Sequence, residues 1–374
     1  MSSNINVLLI LMGLIYLSTV LAKTKWGKGL GAAIIVIILG ALAANLTLIP
    51  SASNSIELYS GIFHYIAPLS IFYLILNVNL SKIKAAGVPM ISLFLLGSVA
   101  TAIGVMVAYY LVEPASLIDQ YAAPLSGMFA GTYSGGSINF NAIALHYKVN
   151  EQGVLYAGAV AVDNVYTTIW ILATLAIPKV MHSVWPGKAI GVDINAKVEE
   201  PDNTITLNSL VVLLPLGVGA FVLSEWLSTL LPVVPSILTI TTIGLVLAQI
   251  PYFHKLSGSH SIGLYLVLLF LVVIGAYCEF AAVEKLGDIG LMLMLFVGLI
   301  VLVHGLITII IGRLFFSDWD MIAIASQANI GGGTTAMALA ETFGRRELIV
   351  PAILVGSFGS ALGTYLGFTV IGFL

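Results

Sequence analysis

Charge is scarce in this chain. Of 374 residues only 8% are Asp, Glu, Lys or Arg, while 59% are hydrophobic. A water-facing surface built from that composition would be one contiguous apolar patch, so a soluble globular domain is excluded. Cysteine is scarcer still: Cys278 stands alone in an apolar run, which excludes an intramolecular disulfide and any cysteine-based metal site. The six histidines have no ligand spacing, and nothing indicates a metalloenzyme. No basic stripe accompanies the net charge of −3, so nucleic acid is not an expected partner. The first apolar run, 6–22, lacks a basic start and a small-residue cleavage site, and it reads as a retained helix.

What fills the chain instead is apolar sequence in lengths that can cross about 30 Å of hydrocarbon as helix. Segments fall at about 5–22, 30–48, 60–80, 89–112, 121–147, 153–178, 207–231, 234–250, 260–281, 287–312, 320–343 and 349–374. The expected class is an all-α polytopic membrane protein, with the lipid bilayer as its solvent and a bacterial inner or plasma membrane as its location. One stretch is clearly polar, 179–206, and it reads as a linker between a first repeat at 1–178 and a second at 207–374.

The repeat is visible without gaps. A shift of 196 residues lays "GGSINFNAIA" (135–144) over "GGGTTAMALA" (331–340). Gly135, Gly136, Ala142 and Ala144 then meet Gly331, Gly332, Ala338 and Ala340. The same shift lays 89–112 over 287–312 and "AVAVDNVYTT" (159–168) over "VGSFGSALGT" (355–364). Each half is therefore six segments with a glycine-rich interruption in the fifth.

Interrupted segments in matching places of two halves are the sequence sign of a secondary transporter. Irregular backbone at membrane depth is tolerated only where protein buries it or a cavity runs beside it. Close packing through small residues accounts for the glycines. It leaves unexplained Thr132, Ser134, Ser137, Asn139 and Asn141, crowded among Gly131, Gly135 and Gly136. In the second half Asn329, Thr334 and Thr335 flank Gly331, Gly332 and Gly333. These two polar clusters are the candidate ion- and substrate-binding stretches.

Basic residues bear on topology, because Lys and Arg favour cytoplasmic loops. Lys23, Lys25, Lys28, Lys82 and Lys84 place the first and third loops inside and the N-terminus outside. Twelve plain crossings then leave nine of the fourteen basic residues inside. If 121–147 and 320–343 are re-entrant hairpins, each half has five crossings, the second half is inverted, and twelve of fourteen are inside, with Lys148 and Lys285 the exceptions. The count favours two inverted repeats, each with a broken or re-entrant glycine-rich helix. Full crossings with a further odd crossing elsewhere remain an open alternative.

The order of "GTYSGGSINFNAIA", "AVAVDNVYTTIW" and "SQANIGGGTTAMALAETFG" resembles the YjcL-like membrane proteins, a domain-of-unknown-function family, over nearly the whole chain. More remotely it resembles the superfamily of cation/proton antiporters and anion transporters. That resemblance implies an elevator-type transporter fold: a core with two broken or hairpin helices moving against a scaffold, usually in a homodimer. In the antiporter branch an acidic pair follows the first broken helix, and the matching position here holds Asp163 and Asn164. In the glutamate and citrate symporter branches glycine-rich hairpins contribute to substrate and sodium sites, which Gly135, Gly136, Gly331, Gly332 and Gly333 match in part. The pair is Asp-Asn, leaving one carboxylate, and no basic residue occupies the late core helix, where 287–312 offers only His304.

Asp163 is the one acidic residue deep in 153–178, and a carboxylate there should face a cavity, a partner or an ion. It is the candidate ligand for Na⁺ or a proton; a helix-capping role is the alternative. Glu225, Glu279 and His304 read as interfacial or packed residues. An intramembrane enzyme needs a nucleophile and a base. The deep segments offer one Asp and no G-x-S-x-G turn, so no enzyme is expected. The expected function is Na⁺- or H⁺-coupled transport of a small, anionic solute, with Na⁺/H⁺-type cation exchange as the alternative and no cofactor beyond Na⁺.

Overall fold

The computed structural model describes residues 4–25, 27–78, 80, 83–190, 203–231, 234–254, 256–278 and 286–374. Trp26, Lys82, Lys197, Glu279 and Lys285 lie outside them. Among the described residues there is helix and no strand.

Fourteen of these helices carry the architecture. In the first half they are α1 (Asn4–Leu21), α2 (Gly27–Asn45), α3 (Glu57–Ile75), α4 (Val88–Val112), α5 (Ala122–Thr132), α6 (Ser137–His146) and α7 (Gly153–Val184). The second half has α8 (Leu207–Leu230), α9 (Ser236–Ala248), α10 (Ser259–Ala276), α11 (Leu286–Phe315), α12 (Trp319–Ile330), α13 (Gly332–Thr342) and α14 (Ile349–Phe373). Eight are long and apolar enough to cross a membrane, and residues 31–45 and 236–248 form shorter apolar helices. Local chemistry sets several starts. Thr206 accepts the Ser209 N–H at 3.1 Å to open α8, and Asp318 accepts the Met321 N–H at 3.0 Å to open α12. One boundary differs from the sequence reading: α7 runs through Pro178 to Val184, into the stretch expected as linker. A proline removes one backbone donor, and the helix continues past it for six residues. Residues 191–202 of that stretch lie outside the described residues.

Both glycine-rich segments fold back on themselves. Gly131 of α5 lies beside Asn139 and Ile143 of α6, and at the base the Gln152 side chain donates to the Tyr121 hydroxyl at 3.0 Å. In the second half Gln327 of α12 donates to Thr335 of α13 at 2.9 Å. At its base Arg345 reaches back to Asp318 at 2.9 Å and Asp320 at 3.2 Å. Each is thus a helical hairpin whose ends lie side by side. Arms of 10 to 12 residues span about 15–18 Å, roughly half the hydrocarbon thickness.

The reversal needs backbone that other residues resist. Gly136 (φ +98) and Gly332 (φ +78) hold conformations that cost an L side chain steric energy, and each opens the second arm of its hairpin. The hairpins then close on α14. A Cβ at Gly359 would lie 2.7 Å from the Gly135 Cα, one at Gly363 2.5 Å from the Gly131 carbonyl oxygen, and one at Gly367 2.6 Å from the Gly127 carbonyl oxygen. Three glycines at four-residue spacing therefore seat one face of α14 along the first hairpin. One turn earlier, Gly356 packs against Gly333 at the tip of the second.

Packing is reciprocal between the halves. α4 packs on α11 and α3 on α10. α14 packs on α5 as α7 packs on α12; α10 packs on α2 as α3 packs on α9; α1 packs on α2 as α8 packs on α9. Every helix αn in these pairs is matched by α(n+7).

Gly359→Ala forces a methyl against Ser134, Gly135 and Phe94, whereas a Cβ at Gly372 meets nothing within 4 Å. Overpacking of this kind costs about 1–3 kcal/mol. Gly359→Ala should therefore lower the melting temperature of the purified protein by several degrees, while Gly372→Ala leaves it unchanged or slightly raised. Equal melting temperatures would contradict the tight seat of α14.

Candidate functional site

The two hairpin tips, 133–136 and 331–333, meet neighbouring turns of α14: Gly359 faces Ser134 and Gly135, and Gly356 faces Gly333. Three residues of helix rise only about 5 Å, so the tips converge on one small region near the middle of α14. Both second arms, α6 and α13, begin there. Neither has a side chain capping its first turn. Backbone N–H groups at helix starts lack intrahelical partners and carry the positive end of the helix dipole. Two such ends lie beside one stretch of α14.

Unpartnered polar atoms gather beside the first tip. Tyr133 and Ser134 are fully buried, and neither hydroxyl has a hydrogen-bond partner. On α7 the Asp163 Oδ1 is likewise buried and without a partner. The Asp163 carboxylate lies beside the Tyr133 and Tyr156 phenols, with Tyr133 the nearer of the two. Unsatisfied buried groups cost about 1–3 kcal/mol each and call for an explanation, of which an absent ion or ligand is one. Ser137 and Thr334, at the starts of α6 and α13, are exposed.

Other residues singled out in the sequence are committed within the protein. Asn139 accepts from the Thr364 N–H at 3.0 Å and its hydroxyl at 2.6 Å, tying α6 to α14. Asn329 donates to the Phe94 carbonyl at 3.0 Å and accepts from Ser98 at 2.9 Å, tying α12 to α4. Asn141 accepts from Tyr156. The Asn164 amide turns back to the Val160 carbonyl at 2.8 Å. Thr335 takes the Gln327 amide and donates to the Gly332 carbonyl at 3.1 Å, bracing the second tip. Thr132 is buried one residue before Tyr133.

Sequence reasoning missed the network that joins the hairpins. His304 on α11 is wholly buried, with Nδ1 3.0 Å from the Gly97 carbonyl and 3.0 Å from Thr101 Oγ1, and Nε2 2.8 Å from Ser326 Oγ. A carbonyl can only accept, so Nδ1 carries the proton and Nε2 accepts from Ser326. Ser326 in turn accepts from Trp170 Nε1 at 3.1 Å, and Thr101 donates to the Tyr133 carbonyl at 3.0 Å. The chain of bonds runs from α7 through the second hairpin and His304 to the first tip. Its members lie far apart in sequence and share no spacing. Tyr133 alone had a signal, standing between Thr132 and Ser134.

The model for the family described as "Protein of unknown function (DUF819)" matches residues 7–374. The chain belongs to that family. It is similar to "Uncharacterized membrane protein YjcL" of Bacillus subtilis (strain 168), 26% identical over 370 residues, covering 92% of this chain and 90% of that protein. With that likeness and eight helices of crossing length, the chain is a multi-pass membrane protein of the bacterial cell membrane.

Ser326→Ala leaves both Trp170 Nε1 and His304 Nε2 unpaired. The expected cost is about 1–3 kcal/mol for each orphaned group, read as a clear drop in melting temperature. Ser326→Thr, which keeps the hydroxyl, should recover part of it. A neutral Ser326→Ala would show that the network does not hold the hairpins together.

Proposed function

We propose that the chain is a secondary active transporter that moves a small anionic solute, coupled to Na⁺ or protons, by alternating access. The observation that carries this reading is the convergence of two uncapped helix starts on one region of α14, with the Asp163 carboxylate of α7 beside Tyr133 at the first tip and its Oδ1 buried. Helix starts favour anions, and Asp163 favours a cation. A site with both is suited to a solute and its coupling ion. Backbone groups of Gly135, Gly136, Gly331, Gly332 and Gly333, with the hydroxyls of Ser134, Ser137 and Thr334, are the proposed solute contacts; Asp163 is the proposed ion ligand.

The membrane arrangement we infer is an inverted one. Four long helices and one shorter apolar helix in each half make five crossings per half, an odd number. The reciprocal packing of αn with α(n+7) supports a twofold relation between halves. The hairpins then enter from opposite faces and their tips meet near the midplane, as irregular backbone lining a cavity requires. In the elevator reading, the hairpins with α4, α7, α11 and α14 form the moving core, and α1–α3 with α8–α10 form the scaffold of a homodimer. A second reading, cation exchange, is favoured by Asp163 alone: a carboxylate that alternates between proton and Na⁺ needs no organic solute.

Asp163→Asn keeps the shape and removes a buried charge, so the variant should fold with an unchanged or higher melting temperature. In proteoliposomes with an imposed Na⁺ or pH gradient, the variant should lose at least tenfold in the gradient-driven flux or pH change that the unmodified protein shows. Full gradient-driven activity in Asp163→Asn would remove Asp163 from coupling.

A further inference from the structure

A polar cavity lies away from the hairpin tips, at the base of the first hairpin. It has a volume of about 530 Å³, and its walls come from both bodies named above. His146, at the end of α6, and Lys148, Asn150 and Glu151, in the turn before α7, form one wall; His64 on α3 and Glu225 near the end of α8 form the other. Charges of both signs therefore face one space. No ion pair among the described residues engages Lys148, Glu151 or Glu225. Lys148 also sits in left-handed backbone (φ 56), which a lysine adopts at a cost.

Asn150 points to a ligand. The residue is 2% exposed, it lines the cavity, and its side-chain oxygen has no hydrogen-bond partner. An acceptor buried in that way calls for a donor, an N–H or O–H from whatever occupies the space. Two free carboxylates near it strengthen the demand for a cationic donor. Lys148, with the two imidazoles able to donate, calls for an oxyanion in the same volume.

We propose that this cavity binds a small zwitterion, a primary ammonium group and an oxyanion on one molecule, as in a free amino acid. The ammonium group faces the Asn150 oxygen, Glu225 and Glu151; the oxyanion faces Lys148 and the imidazoles. A phospholipid headgroup of the ethanolamine type carries the same chemistry. That the zwitterion is the transported solute, captured before it reaches the hairpin tips, rests on the transporter reading; its binding in the cavity does not.

The test is the melting temperature of the delipidated, detergent-solubilised full chain with four probes. They are a pool of the free L-amino acids with uncharged side chains, proline left out, the same pool N-acetylated, the same pool as α-amides, and glycerophosphoethanolamine. The free pool should raise the melting temperature by about 2–4 °C, and the two blocked pools should not. Stabilisation by glycerophosphoethanolamine alone supports the chemistry and assigns it to lipid. Glu225→Gln and Asn150→Leu should each abolish the shift, and Asp163→Asn should keep it. Equal shifts with the blocked pools, or no shift with any probe, overturn the proposal. A shift lost in Asp163→Asn but kept in Glu225→Gln also overturns it, moving the zwitterion to the hairpin tips and leaving the transporter reading intact.

Discussion

A backbone amide that enters hydrocarbon must find its partner within the protein, and everything at the centre of this molecule follows from how two broken helices meet that demand. A side chain on the facing surface of α14 would hold the hairpins off. Glycines at 359, 363 and 367 let the first hairpin approach to backbone contact, and Gly356 does the same for the second tip. The polar side chains then finish the work from both sides, Asn139 on α14 and Asn329 on α4. The groups left over, at the tips themselves, are the ones that the proposed transport function gives to the solute.

The two hairpins are held differently at their bases. The second is clamped by Arg345, which bonds Asp318 and Asp320 and also donates to the Ile190 carbonyl at 3.1 Å. Burial works against the Arg345 charge, but hydrogen bonds to Asp318 and Glu347 override it and hold its pKa above the ordinary value. Residues 185–190 are strapped across the same base: the Ile190 N–H donates to Asp318 at 2.7 Å and Trp319 Nε1 to the Trp185 carbonyl at 2.8 Å. Arg313 lies over both tryptophan rings, 4.9 Å from Trp185 and 5.6 Å from Trp319. The first hairpin has one neutral bond at its base, Gln152 to Tyr121, and the mixed-charge cavity opens beside it. One base is clamped by ion pairs and the other opens onto a cavity.

Much of this was legible in the sequence, for physical reasons. Crossing length and the near-absence of charge dictate an all-helical membrane protein. Glycine pairs in matching places mark the tips, because few other residues make those turns. Fold-back against straight crossing was not legible: Lys and Arg counts differ by three residues between the two, and only contacts such as Arg345 with Asp318 distinguish them. Nor was the division of labour among the polar residues. Asn139 and Asn329 carry the same chemistry as a ligand-binding amide, and their partners stand more than 200 residues away. His304 lies in a network that spacing cannot reveal.

The central claim is that both tips belong to one site. Electron–electron distance measurement between spin labels at Ser137→Cys and Thr334→Cys, in a Cys278→Ser chain reconstituted in lipid, tests it most directly. The account predicts a population with the labels within about 24 Å, two helix diameters. A distribution lying wholly beyond that distance, with and without Na⁺, would contradict it.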